Sequence, residues 1–64
     1  MQMVSVRLNS TDELLGYMDE LLVPDHENET LIFNGAEYIF LRRELSSQNK
    51  VTVIVEKKRQ LRNQ

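Results

Sequence analysis

Apolar and polar residues alternate over the first eight positions of the chain, which is the two-residue period of a strand with one buried face. Val4, Val6 and Leu8 share one side of this pattern, and polar or longer side chains occupy the other. The alternation therefore predicts a first strand over Gln2–Leu8, with its valine side in the core.

The apolar residues that follow recur at spacings of three and four, which is the period of an amphipathic helix. Ser10–Glu13 has the S-x-x-E pattern of a capping box that begins a helix, and Pro24 is expected to end it. The outer face of this predicted helix is acidic and includes Asp12, Asp19 and Glu20. Its core face would be a stripe of apolar side chains: Leu14, Leu15, Met18, Leu21 and Leu22.

Asn34-Gly35 predicts a tight hairpin, because a type I′ turn needs positive φ at both central residues and this pair tolerates it best. With the pair at the turn, Phe33 should face Ala36 on the opposite strand. The same register collects the predicted core residues of the hairpin on one side of the ribbon: Leu31, Phe33, Ala36, Tyr38 and Phe40.

A last strand is predicted over Val51–Val55, so the expected element order is β-α-β-β-β. We expect an α+β domain of two layers, in which the last three strands form an antiparallel meander and the helix packs on one face. The first strand would join the same sheet. Residues 1–56 would form this single domain, and residues 57–64 a polar, basic tail.

The chain has 64 residues and no cysteine, so disulfides and a thiolate zinc site are excluded as sources of stability for a small core. Association with another chain is the expected alternative. Met1–Leu8 lacks the pattern of a signal peptide, and no stretch approaches about 18 apolar residues. We therefore expect a cytoplasmic protein without a membrane partner.

A two-layer domain leaves one sheet face uncovered, and contiguous aliphatic side chains there would indicate an interface with a partner or a second copy. The competing interpretations are that these are ordinary scattered surface residues or that the C-terminal tail folds over them. The predicted partner-binding residues on this face are Ile32, Ile39, Leu41 and Ile54.

Charge is segregated along the chain, although the net charge is only −2. Eight acidic residues and no lysine or arginine lie between Leu8 and Leu41. Asp12, Asp19 and Glu20 on the predicted helix could therefore steer a basic partner. The alternative, a solvated helix face, explains Asp12 near the helix N-terminus well, but it explains Asp19 and Glu20 less well, because negative charge is unfavourable toward the C-terminus.

Basic residues dominate the C-terminal third and suggest an alternative function, nucleic-acid binding through phosphate contacts. Against it, Tyr38 and Phe40 are predicted inside, which leaves no exposed ring among these residues to stack on bases. The candidate residues for this alternative are Arg42, Arg43, Lys50, Lys57, Lys58, Arg59 and Arg62.

Catalytic and cofactor-binding patterns are missing from the sequence. Asp25–Glu29 clusters oxygen ligands around His26, the only histidine, but it lacks the spacing of a calcium loop and the nitrogen or sulfur ligands of a zinc site. We therefore predict no cofactor and no enzyme activity, and expect a protein-binding regulatory or accessory module, with a homodimer as one form of association.

Overall fold

The computed structural model describes residues 2–58, and five strands account for most of them. One short 3₁₀ turn, Glu20–Leu22, follows the second strand. The strands are β1 (Met3–Leu8), β2 (Leu14–Asp19), β3 (Thr30–Phe33), β4 (Ala36–Leu45) and β5 (Val51–Lys57).

The strands form one mixed sheet in the order β2-β1-β5-β4-β3, and the sheet curls into a half-barrel. β1 pairs with β2 in antiparallel orientation and with β5 in parallel orientation. The β5–β4 and β4–β3 pairs are antiparallel. The two edge strands, β2 and β3, are consecutive in the chain, so their connection runs from one edge of the sheet to the other.

One face of the curled sheet holds the core, as strand alternation requires. Val6, on β1, lies beside Val53 of the parallel strand β5, and both are completely buried. Each buried valine contributes about 1.5 kcal/mol or more through removal of apolar surface from water. The buried cluster comprises Val4, Val6, Met18, Val23, Leu31, Phe33, Phe40, Val53 and Val55.

The hairpin prediction at Asn34-Gly35 is confirmed. Asn34 has φ of 53° and Gly35 has φ of 77°, and Phe33 pairs with Ala36 across the turn. Because a β-branched or bulky residue resists this backbone region, the pair determines where the chain reverses.

The predicted α+β class is wrong, because residues 2–58 contain no α-helix and are nearly all sheet. No described helix is long and apolar enough to cross a bilayer. The segment expected to be helical forms β2 and the 3₁₀ turn instead. Its expected capping box is a turn, in which the Leu8 N–H donates to the Glu13 carbonyl at 2.9 Å and Asp12 has φ of 60°.

The helix predicted from this periodicity does not form, and the same segment shows physical reasons. Gly16 costs a helix interior about 1 kcal/mol relative to alanine, and an isolated helix of about twelve residues is marginal in water. The backbone of this segment instead forms an antiparallel strand pair with β1, with Val4 opposite Met18 and Val6 opposite Gly16.

Gly16 also brings the two edges of the sheet together. A methyl group at this position would lie 2.9 Å from Cζ of Phe33, on β3, so only glycine leaves room for the ring. Its φ of +152° is also a conformation that side chains disfavour. Phe33 and Val23 both belong to the buried cluster.

Candidate functional site

The segment Tyr17–Leu22 runs from edge strand β2 into the 3₁₀ turn and exposes large apolar side chains. Leu21 is 89% exposed, Leu22 67% and Tyr17 60%. Both leucines were expected in the core, and their exposure corrects that expectation. We call Tyr17–Leu22 the edge segment.

The two exposed leucines lie between buried residues on both sides of the turn. Met18 precedes them and Val23 follows them, and these two side chains are 5% and 6% exposed. Leu21 and Leu22 are thus exposed residues between two residues of the core.

Hydrogen bonds hold the backbone of the turn in place. Asp19 Oδ1 accepts from the Leu21 N–H at 3.1 Å, as an N-cap. The Glu20 N–H donates to the Gln2 carbonyl at 2.9 Å, and the Val23 N–H donates to the Glu20 carbonyl at 3.1 Å. The turn is thus tied to β1 as well as to itself.

Acidic groups lie at the far end of β2 and within the edge segment. Asp19 and Glu20 lie within it, and Glu13 immediately precedes β2. Glu20 Oε2 lies 3.6 Å from Nη1 of Arg43, on β4. Both side chains of this ion pair are substantially exposed, so it contributes at most about 1 kcal/mol.

The structure brings two of the predicted acidic residues together and separates the third. Asp19 and Glu20 are adjacent at the end of β2, whereas Asp12 lies in the β1–β2 turn at the opposite end of that strand. The predicted acidic helix is wrong, since no helix forms there. The edge segment still contains two adjacent acidic residues, Asp19 and Glu20.

The aliphatic residues predicted on the outer sheet face differ widely in exposure. Ile32 is 59% exposed, Ile39 and Leu41 are half-buried, and Ile54 is only 5% exposed. Ile54 is flanked by Arg7 on β1 and Arg42 on β4, whose aliphatic stems can cover it. Leu41 lies at an irregularity in the β4–β5 ladder.

Several of the candidate basic side chains have acidic partners. Arg42 Nε donates to Glu44 Oε2 at 2.9 Å, and Lys58 Nζ lies 3.8 Å from Glu37 Oε1. Arg43 has the ion pair with Glu20 described above. Arg59 and Arg62 lie outside the described residues.

Lysines among the candidate basic residues line two surface hollows, which lie at opposite ends of the sheet. The first, of about 310 Å³, is lined by Tyr17 and Lys50 together with Gln2, Met3, Ser5, Asn49 and Val51. The second, of about 430 Å³, is lined by Ser10, Glu56, Lys57 and Lys58. Glu56 Oε1 is buried without a hydrogen-bond partner among the described residues.

Metal-binding geometry is not found among residues 2–58, where no group of three or more candidate ligand side chains could hold an ion. His26 Nδ1 lies 3.1 Å from Glu29 Oε2, in an exposed pair.

Comparison of the chain with protein-family models, curated proteins and solved structures found no match. The edge segment is therefore the main guide to function. Sequence periodicity missed the exposure of Tyr17, Leu21 and Leu22. The available signal was Gly16-Tyr17, a poor helix-interior pair beside a strand-forming aromatic.

Proposed function

We propose that the protein is a small non-catalytic module that binds another protein through its edge segment. The observation that carries this proposal is the pair of adjacent leucines, 89% and 67% exposed, on a turn held by hydrogen bonds. A turn ordered before binding loses less conformational freedom on association. The cytoplasmic location expected from the sequence belongs to the same proposal.

Leu21 and Leu22 would supply most of the binding energy, at about 1.5–3 kcal/mol for each side chain fully buried, before the costs of association. Asp19 and Glu20 would contribute mainly to orientation and association rate. Negative groups beside an apolar contact favour a partner with a basic rim.

Nucleic-acid binding is the second candidate, and one observation favours it: the exposed ring of Tyr17 lines a hollow with Lys50. A base could stack on this ring while the ammonium group contacts a phosphate. Nucleic-acid binding has weaker support than protein binding, because Arg42, Arg43 and Lys58 already have carboxylate partners.

Affinity capture with the full chain tests both functions when recovered protein and nucleic acid are measured together. We expect the Leu21→Ser/Leu22→Ser variant to bind a protein partner with an affinity lower by about tenfold or more. A tenfold loss of affinity corresponds to about 1.4 kcal/mol of binding free energy. Leu45→Ser is the matched control, because Leu45 is 68% exposed but lies at the end of β4. Equal capture by all three proteins would contradict the proposal. Recovery of nucleic acid that is lost steeply as salt rises would favour the alternative.

A further inference from the structure

The outer side of β2 presents backbone groups that pair with no described strand. Paired residues in an antiparallel ladder alternate between hydrogen-bonded and non-hydrogen-bonded pairs. The Glu20 N–H donates to the Gln2 carbonyl, so by alternation Met18 also bonds toward β1. The N–H groups of Tyr17 and Asp19 therefore point away from β1, at the edge of the sheet.

The opposite edge of the sheet is better protected. β3 has only four residues, and Lys58 Nζ lies 3.4 Å from Oγ1 of Thr30 on that strand. Short edge strands and nearby lysines both discourage the addition of another strand. β2 has six residues and contains no lysine, arginine or proline.

Charges at the two ends of β2 indicate what kind of strand would fit there. Glu13 precedes the strand and Asp19 ends it, whereas Glu20, the next residue, is paired with Arg43. Two copies paired about a twofold axis at Gly16 would set Glu13 of one copy opposite Asp19 of the other, and such like-charge pairs are destabilising. A strand with lysine or arginine at both ends would find opposite charges instead.

We infer that the free edge of β2 accepts an extended segment of a partner protein as an added strand, with an apolar centre and basic residues at both ends. This inference rests on the proposed function, since it describes how the partner engages the edge segment. Backbone hydrogen bonds to Tyr17 and Asp19 would supply affinity, and the flanking charges would select the partner.

Amide hydrogen exchange on the full chain tests strand addition directly. The probe is a synthetic peptide of alternating valine and threonine with a lysine pair at each end. We expect saturating peptide to slow exchange at Tyr17 and Asp19 by about tenfold or more. Ile32 is the internal control, because the Phe40 N–H to Glu29 bond and ladder alternation turn the Ile32 N–H outward on β3.

Peptide controls separate backbone pairing from charge. A version with glutamate pairs should bind at least about tenfold more weakly. One with N-methylated core amides should not slow exchange at all, because it has no donors for the β2 carbonyls and its methyl groups keep its backbone too far away to accept from the Tyr17 and Asp19 N–H groups. Equal binding by either control overturns the inference, as does slowed exchange at Ile32. Exchange at Tyr17 that slows with protein concentration in the absence of peptide also overturns it, because a second copy would then occupy the edge.

A proline variant provides the matching change in the protein. Tyr17→Pro removes an outward N–H and leaves the bonds between β2 and β1, so peptide binding should be lost. Thr30→Pro should retain it, because ladder alternation turns the Thr30 N–H outward on β3, at the other edge of the sheet. The N-methylated peptide keeps the test decisive if Tyr17→Pro does not fold. If the peptide leaves Tyr17 exchange unchanged while Leu21→Ser/Leu22→Ser still loses a captured partner, strand addition is overturned and the protein-binding proposal stands.

Discussion

The two edges of the sheet, β2 and β3, are stabilised in different ways. β3 belongs to a local hairpin and buries Leu31 and Phe33 from its four residues. β2 has six residues but buries only Met18. Among the described strands it pairs with β1 alone, and it contacts β3 where Gly16 meets Phe33. A strand that contributes little to the core keeps more of its surface for contacts with other molecules, which is why we place the candidate site on β2.

Phe33→Ala should have the largest effect, because this ring belongs to β3 and also packs against β2. We expect a loss of about 3–5 kcal/mol in the free energy of unfolding, from lost burial and the cavity left behind. Chemical denaturation monitored by circular dichroism measures it. A loss below about 1 kcal/mol would show that the contact between the two edges is not part of the stable core.

Gly16→Val should cost about 2–3 kcal/mol, because the new side chain collides with Phe33 and forces a disfavoured backbone conformation. The same denaturation measurement applies. Phe33→Leu in the Gly16→Val background should recover part of the loss by making room. If the double variant shows no recovery, backbone strain alone explains the cost.

Gly35→Val should cost between about 1 and 3 kcal/mol, because a β-branched residue resists the φ of 77° at this turn. Nothing lies within 4 Å of the position where the new Cβ would be, so the effect is one of backbone conformation. A thermal melt within a degree or two of the unsubstituted protein would contradict this account of the hairpin.

Leu21→Ala should have the smallest effect, within about 0.5 kcal/mol, because the side chain is 89% exposed. Met18→Ala is the comparison, and it should cost about 2–5 kcal/mol because Met18 is buried in the same segment. Equal losses in the two variants would place Leu21 in the core and remove the basis of the proposed site.

Local patterns predicted the parts of this fold whose stabilising neighbours are close in sequence. The alternation around Val4 and Val6 and the turn at Asn34-Gly35 identified β1 and the β3–β4 hairpin, and they placed the buried valines correctly. The candidate site was less accessible to such reasoning. Asp19 and Glu20 were predicted as binding residues, which stays a prediction, and the leucines beside them were assigned to a helix that does not form.

The sequence by itself determined which residues alternate and where the β3–β4 hairpin turns, because backbone preference and strand period act over a few residues. Only the tertiary structure decided that β2 is a strand, because its pairing with β1 and its contact with Phe33 compete against a helical period. The parallel pairing of β1 with β5 joins even more distant segments, as in the 3.0 Å contact between Ser5 Oγ and Thr52 Oγ1. Tertiary packing also separates exposed from buried residues around the 3₁₀ turn: Met18 and Val23 are buried, and Leu21 and Leu22 between them are exposed.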